Sequence, residues 1–119
     1  MLCGHLSGRY LDVLQVDQVS EVDIAGTVLR SYGGLLRGAG HILQELNWPK
    51  HLAVDSEGNV LVADRWNHRV LMLDSELRLK RLLVGKEQVA EPEKLSFDER
   101  SGLLCVVERR SAVKLFSVR

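Results

Sequence analysis

The 119-residue sequence lacks the features that mark several large classes of protein. No apolar run approaches the roughly 18 consecutive residues of a transmembrane helix. The start of the chain has no basic lead followed by a long apolar stretch, so no secretory signal is predicted and a cytoplasmic location without membrane association is expected. Its 16 basic and 16 acidic residues cancel. The chain as a whole therefore has no strong field that would attract nucleic acid or anionic lipid.

Cysteine is scarce: only Cys3 and Cys105 are present, far apart and without Cys-x-x-Cys spacing. This argues against a disulfide framework and against a zinc site. Cys105 lies in an apolar run and is predicted to be a small core residue. The histidines do not pair at metal-ligand spacing, so no metal site and no other cofactor is predicted. They are His5, His41, His51 and His68.

Complete catalytic motifs are also missing. Residues 4–8 have the wrong spacing for a G-x-S-x-G nucleophile elbow and are predicted to form an N-terminal loop. Residues 33–41 contain several glycines but lack the G-K-[ST] of a phosphate-binding loop. No catalytic residue is therefore predicted.

The segment 48–83 is the most informative part of the chain, because four strand-like runs are separated there by three turn signals. Parts of it recur about 43 positions later. The recurring pairs are Pro49 and Pro92, Leu52 and Leu95, Asp55 and Asp98, Val62 and Val106, and Val70 and Val113. A repeat of this length cannot bury its apolar face alone and must stack on neighbouring repeats.

Alternating apolar residues and β-branched residues between turn signals predict strands throughout, in clusters of three, four and three. The predicted strands are 11–16, 19–23 and 27–32, then 51–55, 59–63, 69–74 and 78–83, then 94–98, 103–107 and 112–117. The link 33–47 offers the one helical option, around 41–46. Pro49 and Pro92 mark the starts of strands, and the residue before each is predicted to be extended.

Side-chain alternation on the middle strands predicts two apolar faces. One face is formed by Leu52, Val54, Val60 and Val62, and the other by Leu61 and Ala63. On the fourth strand, Arg78, Lys80 and Arg81 alternate with leucines, as expected for an outer strand that lies half in water.

Residues 49–70 resemble the NHL repeat, a module of six-bladed β-propellers. The matching positions are Pro49, Val54, Asp55, Gly58, Asn59, Val62, Ala63, Asp64, Asn67, His68, Arg69 and Val70. A weaker copy in the third cluster lacks the Asn-His-Arg triplet. It keeps Pro92, Leu95, Asp98, Gly102, Val106 and Glu108.

The resemblance implies an all-β fold, a partial β-propeller of about three blades that is part of a six-bladed ring. Residues 1–33 are then an incomplete first blade, 34–84 a link plus a complete blade, and 85–119 an incomplete last blade. Three blades do not close a ring. The favoured reading is that the chain is a C-terminal piece of a longer protein, whose last blade would take its missing outer strand from upstream. The alternative is that two chains complete the ring together. Open faces at 11–16 and 103–107 are expected to expose apolar surface and to permit self-association.

Asp64 closes one predicted strand and Arg69 opens the next. A carboxylate and a guanidinium at these positions face each other across the loop and are predicted to form a charge-assisted pair. Asn67 is predicted to satisfy loop backbone groups by local hydrogen bonds. Holding this hairpin together is the expected role of all three residues.

The resemblance also implies a function: a non-catalytic module whose loop surfaces contact a protein partner. Its context would be a scaffold or substrate-recognition region of a ubiquitin-ligase-like protein of the tripartite-motif kind. The chain has no cysteine and histidine clusters for RING or B-box zinc sites, so it is not expected to be a ligase itself.

Two alternatives stay open. One is binding of single-stranded RNA, since an aromatic residue beside arginines can stack on an unpaired base while the cations contact phosphate. The other is a metal-dependent lactonase or lyase, for which Asp55 and Asp98 are the residues of interest, although turn capping is their expected role. If the loop does not contact RNA, Trp66 is expected to pack against the next blade. The candidate binding residues are Lys50, His51, Arg65, Trp66, His68 and Arg69.

Overall fold

The computed structural model describes residues 2–6, 9–14, 17–33 and 46–118. These residues form eleven β-strands and one short 3-10 turn, without an α-helix. No helix in the described part of the chain is long and apolar enough to span a membrane. The predicted helical turn around 41–46 falls, apart from Leu46, outside the described residues.

The strands form three antiparallel sheets, each made of consecutive strands. The first sheet contains β1 (Leu2–Leu6), β2 (Arg9–Leu14), β3 (Gln18–Val22) and β4 (Val28–Gly33). The second contains β5 (Pro49–Val54), β6 (Val60–Asp64), β7 (Arg69–Leu73) and β8 (Leu79–Val84). The third contains β9 (Pro92–Asp98), β10 (Leu103–Glu108) and β11 (Val113–Ser117).

The all-β class and the arrangement of a partial, unclosed propeller are confirmed. The first sheet has four strands rather than the predicted three. The additional strand is Leu2–Leu6, which overlaps residues 4–8, predicted to form a loop. Gly4 in its middle lowers the strand propensity of the segment, so local pattern alone gives no strand there, whereas pairing with β2 forms one.

Two apolar clusters join the sheets face to face. The first lies between the first and second sheets and contains Leu11, Val19, Tyr32, Leu46, Leu52, Val60, Val62, Leu71, Leu73 and Leu77. The second lies between the second and third sheets and contains Leu61, Ala63, Val70, Met72, Val84, Val89, Leu95, Leu104, Val106 and Val118. The predicted division of the middle strands into two apolar faces is confirmed.

Two side chains lie elsewhere than predicted. Leu11 was expected on an open face, but it is buried in the cluster between the first and second sheets. Side chains alternate along a strand, and Leu11 lies on the face of β2 that packs on the second sheet. Cys105 is half-buried on β10 rather than in the core.

The central strands β6 and β7 are buried along their whole length, because the second sheet is covered on both faces. Strand β8 is exposed over its middle residues, as predicted for an outer strand.

Tight turns with carboxylate caps connect the strands. Asp55 accepts hydrogen bonds of 2.9 Å from the N–H groups of Glu57 and Asn59, and Asp98 accepts one of 3.1 Å from Arg100. The expected capping role of Asp55 and Asp98 is confirmed.

The buried carboxylate of Asp64 closes the hairpin between β6 and β7. Its Oδ2 lies 2.7 Å from Arg69 Nε, with both side chains almost completely buried, so the predicted charge-assisted pair is confirmed. Asn67 Nδ2 donates to the same oxygen over 2.9 Å. Burial raises the pKa of the Asp64 carboxyl, against the opposing effect of these donors and of the Arg69 charge.

The third sheet has an equivalent of this carboxylate in Glu108, at the end of β10. Its Oε2 accepts the N–H of Ala90 over 2.9 Å and pairs with Lys114 Nζ at 3.0 Å. The hydrogen bond from Ala90, and then the one from Lys114, lowers the pKa of Glu108. A lysine on the third strand therefore supplies the cation that the Asn-His-Arg triplet supplies in the second sheet.

His51 links the second sheet to the third. Its Nδ1 accepts a hydrogen bond of 3.1 Å from the N–H of Leu95, which requires a ring nitrogen without a proton. Burial, and after it the positive charge of Lys94, lowers the pKa of His51 from its ordinary value of 6.5. Folding therefore favours the neutral form of the His51 ring.

We expect His51 to make the stability of the protein depend on pH. The unfolded chain takes up the proton near pH 6.5, whereas the folded chain does so only at lower pH. The contribution of His51 to the free energy of unfolding is therefore fully present above that pH and is lost as the pH falls below it. Urea unfolding between about pH 7.5 and about pH 5.5 measures the loss.

The matched variant for this experiment is His51→Asn, whose Oδ1 replaces Nδ1 as an acceptor but does not titrate. The wild-type protein should lose more stability over the acidic part of that range than the variant does. Parallel pH profiles for the two proteins would contradict the role given to His51.

The substitution Asp64→Asn should strongly destabilise the protein, because it leaves the Arg69 guanidinium buried without a counter-charge. Removing one partner of a buried ion pair costs about 3–5 kcal/mol, measurable by urea unfolding. Asp74→Asn is the control, since Asp74 caps an exposed turn with the same kind of hydrogen bonds. Equal unfolding midpoints for the two variants would show that the Asp64–Arg69 pair contributes no more to stability than the exposed turn cap Asp74.

Candidate functional site

The loop between β6 and β7 lies against the segment that leads into β5. It carries the 3-10 turn Arg65–Asn67. The N–H of Trp66 donates to the carbonyl oxygen of Asn47 over 3.0 Å, and the N–H of Asn47 donates to Asp64 Oδ1 over 2.8 Å. The buried Asp64 carboxylate therefore fixes both segments relative to each other.

A third hydrogen bond attaches this region to the first sheet. The N–H of Trp48 donates to Asp17 Oδ1 over 2.8 Å, and Asp17 lies directly before β3. Trp48 has φ 57° although Pro49 follows it, and Glu91 before Pro92 has φ 45°. The prediction that both residues are extended is therefore wrong. The left-handed backbone is disfavoured for large side chains, and the bonds from Trp48 and Asn47 to carboxylates stabilise it here.

These hydrogen bonds bring the two tryptophans of the chain together on the surface. The ring centroids of Trp48 and Trp66 are 5.1 Å apart and their planes differ by 20°, so the rings are stacked. Trp48 is 47% exposed and Trp66 46% exposed. The Trp66 ring thus stacks on Trp48. Exposed tryptophans fixed in one geometry are typical of a binding surface.

The charged groups beside the tryptophans are paired. Arg65 Nε lies 3.1 Å from Glu93 Oε2 and 3.6 Å from Glu91 Oε1. Arg109 Nη1 lies 3.3 Å from the same Glu91 oxygen. The Arg65 guanidinium carbon is 5.8 Å from the Trp66 ring centre, within range of a cation–π interaction. Arg65 is thus a largely covered cation with two carboxylate partners.

The other candidate binding residues hold the fold together or lie beside the tryptophan pair. Arg69 is buried against Asp64. His68 accepts the N–H of Glu91 at Nδ1 over 3.0 Å, which ties the second sheet to the start of the third. His51 bonds Leu95, and Lys50 is half-buried on β5. Of the six candidates, Trp66 presents the large exposed ring.

Sequence reasoning missed Trp48 and Asp17. The available signal for Trp48 was a second large aromatic residue directly before the proline that starts β5. Asp17 had no comparable signal, because its contact with Trp48 spans the first and second sheets. Among the described residues, no group of three or more His, Cys, Asp or Glu side chains is placed to hold a metal ion.

Comparison with known proteins identifies the central segment. Residues 46–71 match the family model of the NHL repeat, and this range includes Trp48, Trp66 and the Asp64–Arg69 pair. No curated protein matches the sequence. Thirty chains of known structure match the fold.

One of these is the crystal structure of the computationally designed Ika4 protein. It superposes with a TM-score of 0.65 at 18% sequence identity, over 98% of this chain and 64% of the Ika4 chain. The protein thus spans less than two thirds of that chain, and the likeness concerns the fold alone. The match at residues 46–71 supports an NHL-repeat β-propeller, and the three sheets have the arrangement of a partial β-propeller.

Proposed function

We propose that the protein is a non-catalytic interaction module that contacts a protein partner through the stacked rings of Trp48 and Trp66. The observation that carries this proposal is the half-exposed pair itself, fixed by backbone hydrogen bonds at Asn47, Trp48 and Trp66. Tryptophan is enriched among the residues that dominate binding energy at protein interfaces. A pair that is already ordered loses little conformational entropy on binding.

The surroundings of the pair suit a protein interface. Arg65 and Arg109 are both paired with Glu91 or Glu93. An aromatic centre with a rim of compensated charges is the usual anatomy of such interfaces. A more specific version of this proposal is a scaffold or substrate-recognition role in a ubiquitin-ligase-like assembly. It rests on the family resemblance, and the cytoplasmic location stays a prediction from the sequence.

Single-stranded RNA is the competing partner. Its phosphates would need free cations beside the stacked rings, but Arg69 is buried against Asp64 and Arg65 has two glutamate partners. A lactonase or lyase would need free carboxylates, and the oxygens of Asp55 and Asp98 accept hydrogen bonds within their own turns. These contacts favour the protein partner over both alternatives.

The variant Trp66→Ala should lose partner binding while the protein stays folded, because the ring lies on the surface and an aromatic stack contributes only about 1 kcal/mol. The measurement is quantitative affinity capture from RNase-treated cell extract. Leu82→Ala is the control, since Leu82 is 48% exposed on the outer strand β8. Proteins captured by the wild type and by Leu82→Ala should be missing with Trp66→Ala. If all three proteins captured the same partners in equal amounts, the result would contradict the proposal.

We expect no salt-dependent binding of single-stranded RNA, because the arginines at the site are already neutralised. Fluorescence anisotropy with a labelled oligonucleotide of mixed sequence, at low and high salt, tests this. Tight binding that weakens with salt and is abolished by Arg65→Ala would favour RNA as the partner instead. The variant Arg69→Ala is unsuitable for this purpose, since removing the buried cation is expected to destabilise the fold.

A further inference from the structure

The repeat does not require a tryptophan at either of the two stacked positions. Trp48 stands directly before the proline that starts β5, and the residue directly before the proline that starts β9 is Glu91. Trp66 is the second residue after β6, and Arg110 is the second residue after β10. The third sheet thus forms with charged residues at both places. The two rings of the second sheet are therefore not explained by the folding of the sheet.

Stacking covers one side of each ring and leaves much of the remainder open. The ring centroids of Trp48 and Trp66 are 5.1 Å apart and the planes differ by 20°, which corresponds to offset stacking. Both residues remain about half exposed. The pair therefore presents apolar ring surface to the solvent in a fixed geometry, and ring-shaped apolar groups of another molecule can pack on it.

Each ring also carries a hydrogen-bond donor. The indole Nε1–H donates and cannot accept. Trp48 donates its backbone N–H to Asp17, and Trp66 donates its backbone N–H to Asn47. Within the described parts of the chain, neither indole N–H makes a hydrogen bond. Both indole donors are thus available to carbonyl oxygens of a partner.

The charged side chains beside the rings compensate each other. Arg65 and Arg109 pair with the two glutamates on either side of Pro92, so two positive charges meet two negative charges. The Arg65 guanidinium carbon is 5.8 Å from the Trp66 ring centre, so a cation of this protein already uses that ring. A partner at this surface therefore meets apolar rings and hydrogen-bond donors without a net charge from these four side chains.

A polyproline II segment fits these groups better than a helix or an added strand does. A helix uses its carbonyl oxygens in its own hydrogen bonds and has few to offer to the indoles. A strand that joins a sheet needs alternating backbone donors and acceptors, whereas the rings supply only side-chain donors. A polyproline II segment has no internal hydrogen bonds, so its carbonyl oxygens are free. Its prolines have no N–H that would need an acceptor.

We propose that the stacked rings of Trp48 and Trp66 bind a proline-rich segment of the partner protein in the polyproline II conformation. Proline rings pack on the open ring surface, and the indole N–H groups donate to carbonyl oxygens of the segment. Such a segment is already extended before it binds, so it loses less conformational entropy than a flexible chain does. This inference rests on the proposed function, because it names the chemistry of the partner that the same surface contacts.

The probe is a synthetic peptide of about ten prolines, which forms about three turns of polyproline II. Both tryptophans of the chain lie at the site, so intrinsic tryptophan fluorescence reports on this surface alone. Addition of the proline peptide should change the emission until the site is saturated. A peptide of the same length that alternates glycine and serine is the control and should leave the emission unchanged. No change with the proline peptide, or an equal change with both peptides, would overturn the proposal.

Two substitutions at one ring separate its surface from its donor. Trp66→Phe keeps an aromatic ring but lacks the N–H, and it should bind the proline peptide about fivefold more weakly, because one neutral hydrogen bond is lost. Trp66→Ala removes the ring as well and should not bind measurably, whereas the control Leu82→Ala should bind like the wild type. Equal affinity of Trp66→Ala and Leu82→Ala would contradict the assignment. Should Trp66→Ala not fold, wild-type affinity of Trp66→Phe would contradict the donor role.

A third peptide of the same length, made of lysine, tests whether the rings select a cation instead. It should bind more weakly than the proline peptide, because the charges beside the rings are already paired. Tighter binding of the lysine peptide would assign the rings to a cationic segment and would overturn the proposal.

Competition distinguishes a failure of this inference from a failure of the proposed function. Excess proline peptide should release the proteins that the wild type captures from cell extract and that Trp66→Ala does not capture. If these proteins stay bound in excess peptide, polyproline recognition is wrong while the interaction module stands. If capture does not depend on Trp66 at all, the proposed function itself is contradicted.

Discussion

The buried carboxylate of Asp64 is the group on which the second sheet and the candidate site both depend. One oxygen takes the guanidinium of Arg69 and the amide of Asn67, and the other takes the backbone N–H of Asn47. A carboxylate in an apolar interior is costly unless its lone pairs are satisfied. Satisfying them here requires the end of β6, the following loop and the segment before β5 to meet at one point, and this meeting places the two tryptophans in contact.

The same arrangement recurs in the third sheet with different residues. Glu108 takes the N–H of Ala90, as Asp64 takes that of Asn47, and Lys114 supplies the positive charge. A second recurring contact joins neighbouring sheets: Asp17 accepts the N–H of Trp48, and His68 accepts that of Glu91. The repeat therefore recurs along the chain as a pattern of side-chain acceptors that take backbone N–H groups, more than as a pattern of identical side chains.

Much of the fold was predictable because its signals are local. The alternation of Val60, Leu61, Val62 and Ala63 assigned the two faces of β6, since a strand turns successive side chains to opposite sides. The Asp64–Arg69 pair was predictable for a similar reason, because the two residues flank one hairpin. The first strand was not predictable, since Gly4 weakens the local pattern and only pairing with β2 makes Leu2–Leu6 a strand.

The sequence by itself determined the class of fold, the repeat and the apolar faces, because period-two alternation and turn residues act within a few positions. Tertiary structure alone decided which polar groups are free. Arg65 looks available in the sequence, but packing of the third sheet brings Glu91 and Glu93 to it. Trp48 looks like a residue at the start of a strand, but Asp17 from the first sheet holds its backbone beside the loop of Trp66. Contacts between sheets leave no trace in local periodicity, because they depend on which loops stacking brings together.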